Sequence, residues 1–329
     1  MSKAATLMPS ASRALTDRLT DGLAAVDVRL TEVVQHEDEF IAGASQHLLS
    51  GGKRFRPLLT LLASELGTGV NDAVIDAAVG VELTHIASLY HDDVMDAAER
   101  RHGKSSVNAA YDNITAIIVG DLLFGRASEI VAGLGSEAAR IQAQTFVRLC
   151  AGQIRDDRQA PADADPMEHY LGVLADKTGS LIATAARYGA MFGGCPPETV
   201  AIMRQYGELV GMVFQLSDDV LDIASDGASG KTPGTDLREG VTTLPVLYAR
   251  ASKDPADDRL KSLLSHPLTD DAEHAEALEI LRSHPALEQA RRHTEAVADQ
   301  AVALLEPLGD GDALQVMRDL PGQVASRSV

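Results

Sequence analysis

Apolar residues recur at three- and four-residue steps along most of the chain, the spacing of one face of an α-helix. Over 15–49 the stripe includes Leu19, Leu23, Val26, Leu30 and Val33. Residues 71–96 read as a single long helix, capped by Asn71 or Asp72, with Ala73, Ala77, Val81 and His85 along one side. Further helical patterns cover 104–134, 137–156, 167–192 and 197–225. No strand-like alternation of useful length interrupts them. Short breaks fall at Gly51-Gly52, 133–136, 160–166 and 193–197. The segment 225–240, rich in Gly, Ser, Thr and Asp, is too long for a simple turn, and loops of that length are usually functional or disordered. Beyond Lys253, acidic stretches alternate with short amphipathic helices over 254–325, punctuated by Pro255, Pro267, Pro285 and Pro307. The pattern predicts an all-α fold in a single domain, 1–329, with no linker dividing it.

Composition supports this. Of 329 residues, 45% are hydrophobic, enough for a large core; Trp is absent and 4% are aromatic, so Ala, Leu and Val must supply most of it. Lys and Arg number 29 against 48 Asp and Glu, a net charge of −19. That balance argues against nucleic acid or anionic lipid as a partner. It leaves room for a small anion held by a local basic cluster, and for divalent cations. Cys150 and Cys195 are far apart, lack metal spacing, and read as buried reduced thiols of a cytoplasmic protein. Residues 1–13 show no apolar signal region, and no apolar run is long enough to predict a membrane span.

One acidic pattern occurs twice. Asp92-Asp93-Val94-Met95-Asp96 and Asp218-Asp219-Val220-Leu221-Asp222 each follow an apolar helical stretch. Positions four apart share a helix face, so Asp92 pairs with Asp96 and Asp218 with Asp222. Like charges at that spacing cost a helix a few tenths of a kcal/mol. A solvated acidic helix end explains one copy; two copies call for a compensating partner. Mg²⁺ fits, because it takes one or two carboxylates together with substrate phosphates. A basic knot, Gly51-Gly52-Lys53-Arg54-Phe55-Arg56-Pro57, follows a glycine pair and precedes a helix start, where backbone amides also favour anions. The segment Gly230-Lys231-Thr232-Pro233-Gly234-Thr235-Asp236 resembles a phosphate loop in composition only.

These motifs, with Phe214-Gln215 before the second cluster and Asp236-Leu237 and Thr243-Leu244-Pro245 after it, resemble the trans-isoprenyl diphosphate synthases, the polyprenyl synthetase family, of long-chain type. The likeness runs through a motif-bearing core of about 40–250. It implies an isoprenoid-synthase-type helical bundle around a deep central cavity, in a homodimer. It implies a trio of Mg²⁺ ions between the two aspartate clusters, and head-to-tail condensation of isopentenyl diphosphate onto an allylic prenyl diphosphate, farnesyl or geranylgeranyl. By motif position, Asp92, Asp96 and Asp218 would be direct metal ligands, with Asp93, Asp219 and Asp222 completing the metal shell. Lys53, Arg56 and His85 would serve isopentenyl diphosphate, Arg101 and Lys231 would serve the allylic diphosphate, and Arg54 and His102 would also be substrate-binding. Lys177 would hold diphosphate, Thr178 would lie near the carbocation, and Gln215 would line the same cavity. Outside the resemblance, His85 reads as a core histidine and Lys177 as a solvated helix lysine.

Two positions depart from the family pattern. His102 stands where a second arginine is common, with Arg100 one position early, and Val241 stands where a lysine is common. Product length would be set by residues a turn below Asp92, a turn being about 5.4 Å. Ala87 and Ser88, then Thr84, Val81 and Gly80, are modest in size where short-chain enzymes of the family carry an aromatic floor. Phe146 is the candidate for a deeper floor. The implied product is an all-trans chain of about C30 to C50, as in quinone side chains, with a geranylgeranyl product as the alternative. A class I terpene cyclase would share the first cluster but replace the second. A non-catalytic subunit of a heteromeric synthase would be expected to have lost one.

Overall fold

The computed structural model describes residues 8–158, 160–225 and 232–326. Its helices are α1 (Arg13–Val33), α2 (Glu39–Gln46), α3 (Phe55–Ser64), α4 (Asp72–Met95), α5 (Val107–Ala110), α6 (Asn113–Gly133), α7 (Ser136–Asp156), α8 (Pro166–Leu174), α9 (Ser180–Phe192), α10 (Pro197–Ala224), α11 (Thr235–Glu239), α12 (Leu244–Arg250), α13 (Asp258–Leu263), α14 (Asp271–Ser283), α15 (Pro285–Ala303) and α16 (Asp312–Ala325). A π-helical turn, Ala175–Gly179, joins α8 to α9. The fold is all-α, as the periodicity predicts.

Helix starts follow side-chain caps. Ser12 accepts the Leu15 amide, Asn71 that of Val74, Asp112 that of Thr115 and Asp165 that of Glu168. Three predicted stretches are subdivided, 167–192 by the π-turn. The 15–49 stripe breaks where Asp38 caps α2 by accepting the amides of Phe40 and Ile41. The 104–134 stretch opens with a hairpin, β1 (Arg100–Arg101) against β2 (Lys104–Ser105), that the sequence did not reveal. Its turn residues His102 and Gly103 have φ of 51° and 80°, the left-handed pair of a tight hairpin turn.

The chain forms two compact units: Met1–Val147 with Leu181–Gly207 and Leu308–Val316, and Arg148–Ser180 with Glu208–Pro307 and Met317–Val329. In the first, α4 is the central helix, packed on α1, α3 and α6. Glycines let α4 and α6 close together: a Cβ at Gly80 would lie 2.4 Å from Val131 Cγ2, and one at Gly120 2.4 Å from His91 Nε2. Val26, Leu30, Leu83, Ile86, Ala87, Tyr90, Val119 and Leu123 share the resulting core. α4 is long and apolar enough to cross a membrane, but 67% of its apolar window is buried in the protein, as in a core helix. In the second unit α12 packs on α15, and α14 on α13 and α15. The cysteines are free, as predicted, but half-buried rather than buried.

Candidate active site

In the first unit α4 ends on the first aspartate cluster. Asp96 is its C-cap, and the Asp96 amide donates to the Asp92 carbonyl at 2.8 Å, so the two residues sit one turn apart. Asp92 is half-buried and Asp96 exposed. Asp93 is fully buried and differently used. Its Oδ1 accepts from Arg101 Nε at 2.7 Å and its Oδ2 from the Val107 amide at 3.3 Å. It thereby fastens the end of α4 to the hairpin and to the first residue of α5. Arg101 is held by this bond, with its Nη2 3.9 Å from Asp96 Oδ2.

The basic residues divide. Arg54, expected at the substrate, turns inward: it is 5% exposed, has a left-handed backbone (φ 59°), and bonds Asp27 at 2.8 Å, Glu82 at 2.9 Å and the carbonyls of Gly51 and Leu49. Burying that charge requires its two carboxylates, which makes Arg54 a brace between α1 and α4 rather than a ligand-facing cation. Lys53 is exposed. Arg56 is half-buried, and its Nε is buried with no hydrogen-bond partner. Burial pushes its pKa down, with Glu82 opposing. His85 is pushed well below its ordinary value, first by burial and then by the positive charges of Arg56, His102, Arg101 and Arg54. Side chains from two segments, the basic knot and the hairpin, therefore lie around one imidazole. His102 reaches the glycine pair as well: a Cβ at Gly51 would lie 2.9 Å from its Nδ1. Arg100 folds back instead onto the Gly103 carbonyl at 2.7 Å.

The second unit carries the second cluster at the end of α10. Asp218 is half-buried. Asp219 is 4% exposed and accepts from the Tyr170 hydroxyl, from the Leu244 amide at 3.1 Å and from Gln215 Nε2 at 3.4 Å. Burial nevertheless raises its carboxyl to about 6. Asp222 accepts the amides of Thr235 at 3.1 Å and Asp236 at 3.2 Å, which fixes the end of the long loop to α10. Asp236 joins the cluster without having been predicted there. Its carboxyl rises to about 7, from burial first and then from Asp222, Asp219, Glu239 and Asp218. No spacing rule could have found it, because the loop and not a helical period brings it in. Lys177 and Thr178 lie on the π-turn, both half-buried, and Lys177 Nζ donates to Asp156 at 2.6 Å. Lys231 lies outside the described residues, and Val241 is 44% exposed.

The chain-length residues also divide. Ser88 shares the half-buried side of α4 with His85, Leu89 and Asp92, whereas Ala87 is fully buried among residues of α1 and α6. Thr84 is buried and accepts from the Gln142 amide at 2.5 Å. Phe146 is not the deep floor it was expected to be. It is 36% exposed and packs on Phe124 at 4.4 Å, which in turn packs on His91 at 5.6 Å, the residue before Asp92. That chain of rings puts Phe146 toward the acidic end of α4, a turn beyond Gln142.

The sequence signature of the polyprenyl synthetase family spans residues 38–281 and so includes both clusters, the basic knot and the π-turn. The chain belongs to the polyprenyl synthetase family. It is a trans-prenyltransferase, and its all-α fold is that of its solved relatives. It is 44% identical to nonaprenyl diphosphate synthase of Mycobacterium tuberculosis over 91% of each chain. It is 37% identical to heptaprenyl diphosphate synthase component 2 of Geobacillus stearothermophilus, over 96% of this chain and 98% of the relative. Among solved structures it resembles geranylgeranyl pyrophosphate synthase of Corynebacterium glutamicum, crystallised with calcium and isoprenyl diphosphate. That match has a TM-score of 0.87 and 41% identity, and covers 96% and 98% of the two chains.

The donor set suits a hard divalent ion. Among the described residues no three His, Cys, Asp or Glu side chains form a ready-made metal cage. Asp92 and Asp96 offer instead a pair of oxygen ligands one turn apart, the complement Mg²⁺ takes when phosphate oxygens supply the rest. At the second cluster burial raises the carboxyls of Asp219 and Asp236, and the neighbouring carboxylates raise Asp236 further.

Proposed function

We propose that the chain condenses isopentenyl diphosphate head-to-tail onto an allylic diphosphate, farnesyl or geranylgeranyl, and makes a long all-trans polyprenyl diphosphate of about C30 to C50, the kind used in quinone side chains. The observation that carries this reading lies on one helix. α4 bears an acidic pair, Asp92 and Asp96, at its end, and His85, in the field of Arg56, Arg101 and His102, two turns earlier. A reaction that joins two diphosphates needs both kinds of anion site: one built for a metal-bound diphosphate and one built from cations alone.

In this reading Asp92, Asp96 and Asp218 hold Mg²⁺, three ions per site. When bound, the metal neutralises charge on the departing diphosphate. Asp93 and Asp219 keep the neighbouring backbone in place. Arg56 Nε donates to the isopentenyl diphosphate, with Lys53 adding charge and the rings of His85 and His102 adding N–H donors around it. Arg101 and Lys231 serve the allylic diphosphate, Lys177 leaves Asp156 to do the same, and Thr178 and Gln215 lie beside the reacting carbon. The small Ser88 leaves room along α4 for the growing tail.

The nonaprenyl and heptaprenyl relatives support a long product; the geranylgeranyl relative keeps a shorter one as the second reading. Both aspartate clusters are intact, which supports a catalytic chain over a silent subunit. Ile114, Ile117 and Ile118 on α6, 71%, 44% and 61% exposed, support a homodimer, and the free thiols suit the cytoplasm. Mass spectrometry of products from farnesyl diphosphate, labelled isopentenyl diphosphate and Mg²⁺ tests the proposal. A polyprenyl product carrying several labelled units is expected; no incorporation of label would overturn it.

A further inference from the structure

The π-turn at Ala175–Gly179 is held by a set of charges to which neither motif nor resemblance assigns a task. Asp176, just before Lys177, is gripped from both sides by arginines one helical face of α7 presents. Arg148 Nε donates to its Oδ1 at 2.7 Å, and Arg155 donates to its Oδ2. Arg148 also donates to Glu208 on α10 at 2.6 Å and to the Ala175 carbonyl at 3.4 Å. Between the two arginines stands Gly152. A Cβ there would lie 2.5 Å from the Lys177 amide nitrogen and 2.9 Å from its Cα, so only glycine lets α7 lie this close to the turn. A widened turn leaves carbonyls without their usual helical donors. Here the Ala175 carbonyl accepts from Arg148, and the Asp176 carbonyl accepts from the Ser180 hydroxyl at 2.6 Å.

We propose that Arg148, Arg155 and Asp176 are positioning residues: their clamp, seated on Gly152, holds the π-turn and so sets where Lys177 and Thr178 present themselves to the reacting substrates. The inference rests on the proposed roles of Lys177 and Thr178. Three features support positioning over general stability. The clamp acts on the residue adjoining Lys177. It supplies a donor to a carbonyl of the turn itself. The same arginine reaches Glu208, in the helix that carries the second aspartate cluster. Lys177 is 35% exposed and its partner Asp156 39%, so a substrate could replace that bond.

The test is steady-state kinetics of the full-length protein with Asp176→Asn, Arg155→Gln, and the two combined, beside Lys177→Ala and Thr178→Ala. A small displacement of a reacting group costs about 10²-fold in rate. Asp176→Asn is therefore expected to lower kcat by about that factor, with KM for both diphosphates within about twofold. Affinity for an unreactive allylic thiolodiphosphate should be unchanged, and the double variant should lose little beyond the single ones. Arg155→Lys should restore part of the rate lost in Arg155→Gln. If Lys177→Ala and Thr178→Ala depress kcat while folded Asp176→Asn and Arg155→Gln turn over normally, or if both clamp variants lose melting temperature and substrate affinity together, the clamp is merely structural and the inference fails. Should Asp176→Asn not fold, half-exposed Arg155→Gln decides alone. Full activity in Lys177→Ala and Thr178→Ala would instead overturn the roles proposed for those residues, and the inference with them.

Discussion

Asp219 accepts the amide of Leu244, the first residue of α12, at 3.1 Å. Asp93 does the same for Val107, the first residue of α5, at 3.3 Å. The middle aspartate of each cluster is thus buried and engaged in capping a later helix, while Asp92, Asp96 and Asp218 keep greater access to solvent. One repeated sequence pattern therefore combines, in adjacent residues, backbone anchoring and the carboxylates proposed to bind metal.

Substitutions should separate the two tasks. Asp219→Ala leaves the Leu244 amide and the Tyr170 hydroxyl without their acceptor, and should lower stability by about 1–3 kcal/mol. Asp218→Ala should change stability little yet abolish Mg²⁺-dependent turnover. Urea denaturation and product assay on both variants check this; a stable Asp219→Ala protein would contradict the anchoring role.

Arg54 and Arg56 should behave differently despite lying two positions apart. Arg54→Met leaves buried Glu82 without its main cation and should cost about 3–5 kcal/mol. Arg56→Met should leave the fold intact and raise KM for isopentenyl diphosphate roughly tenfold or more, the loss of a charged hydrogen bond being worth about 1.5–3 kcal/mol. Thermal melts and initial rates at varied isopentenyl diphosphate distinguish the two.

His85 gives stability a pH dependence of known sign. Its folded value lies well below the ordinary 6.5 because of burial and the surrounding cations. The unfolded chain therefore binds a proton that the folded protein refuses, so His85 makes stability fall as pH drops through about 6.5 and leaves it unaffected above. Urea midpoints at pH 5.5 and pH 7.5 should differ less in His85→Gln than in the parent. An unchanged difference would mean the imidazole is freely protonated.

Ser88 and Ala87 should also part company. Ser88→Phe fills the half-buried side of α4 below Asp92 and should shorten the product while turnover continues. Ala87→Phe forces a ring into the packed α1–α4–α6 core and should cost about 1–3 kcal/mol or more. Product chromatography and melting temperature report each effect; an unaltered product from Ser88→Phe would remove the tail from this face.

What could be read from the sequence depended on how local its cause was. The pairing of Asp92 with Asp96 follows from helical period alone, and so did the long helix that carries them. The cap at Asn71 is equally local. The inward turn of Arg54 was not legible, because it depends on a left-handed backbone at a non-glycine residue and on Asp27 and Glu82, carried by other helices. The hairpin at His102-Gly103 was too short to show an alternating pattern. The level of Phe146 is not legible either, because the position a residue occupies beside α4 is set by how α7 packs, which Gln142 and Thr84 reveal and sequence spacing does not. Asp236 and the Asp176 clamp belong to the same class: charges brought together by packing rather than by period.

The most direct test is a crystal of the protein with Mn²⁺ and an unreactive allylic thiolodiphosphate, its ions located by anomalous scattering. Ions ligated by Asp92 and Asp96 on one side of the diphosphate and by Asp218 on the other are expected. Ions bound at a single cluster, or a diphosphate held with neither cluster engaged, would contradict the claim that the two acidic helix ends act together on one leaving group.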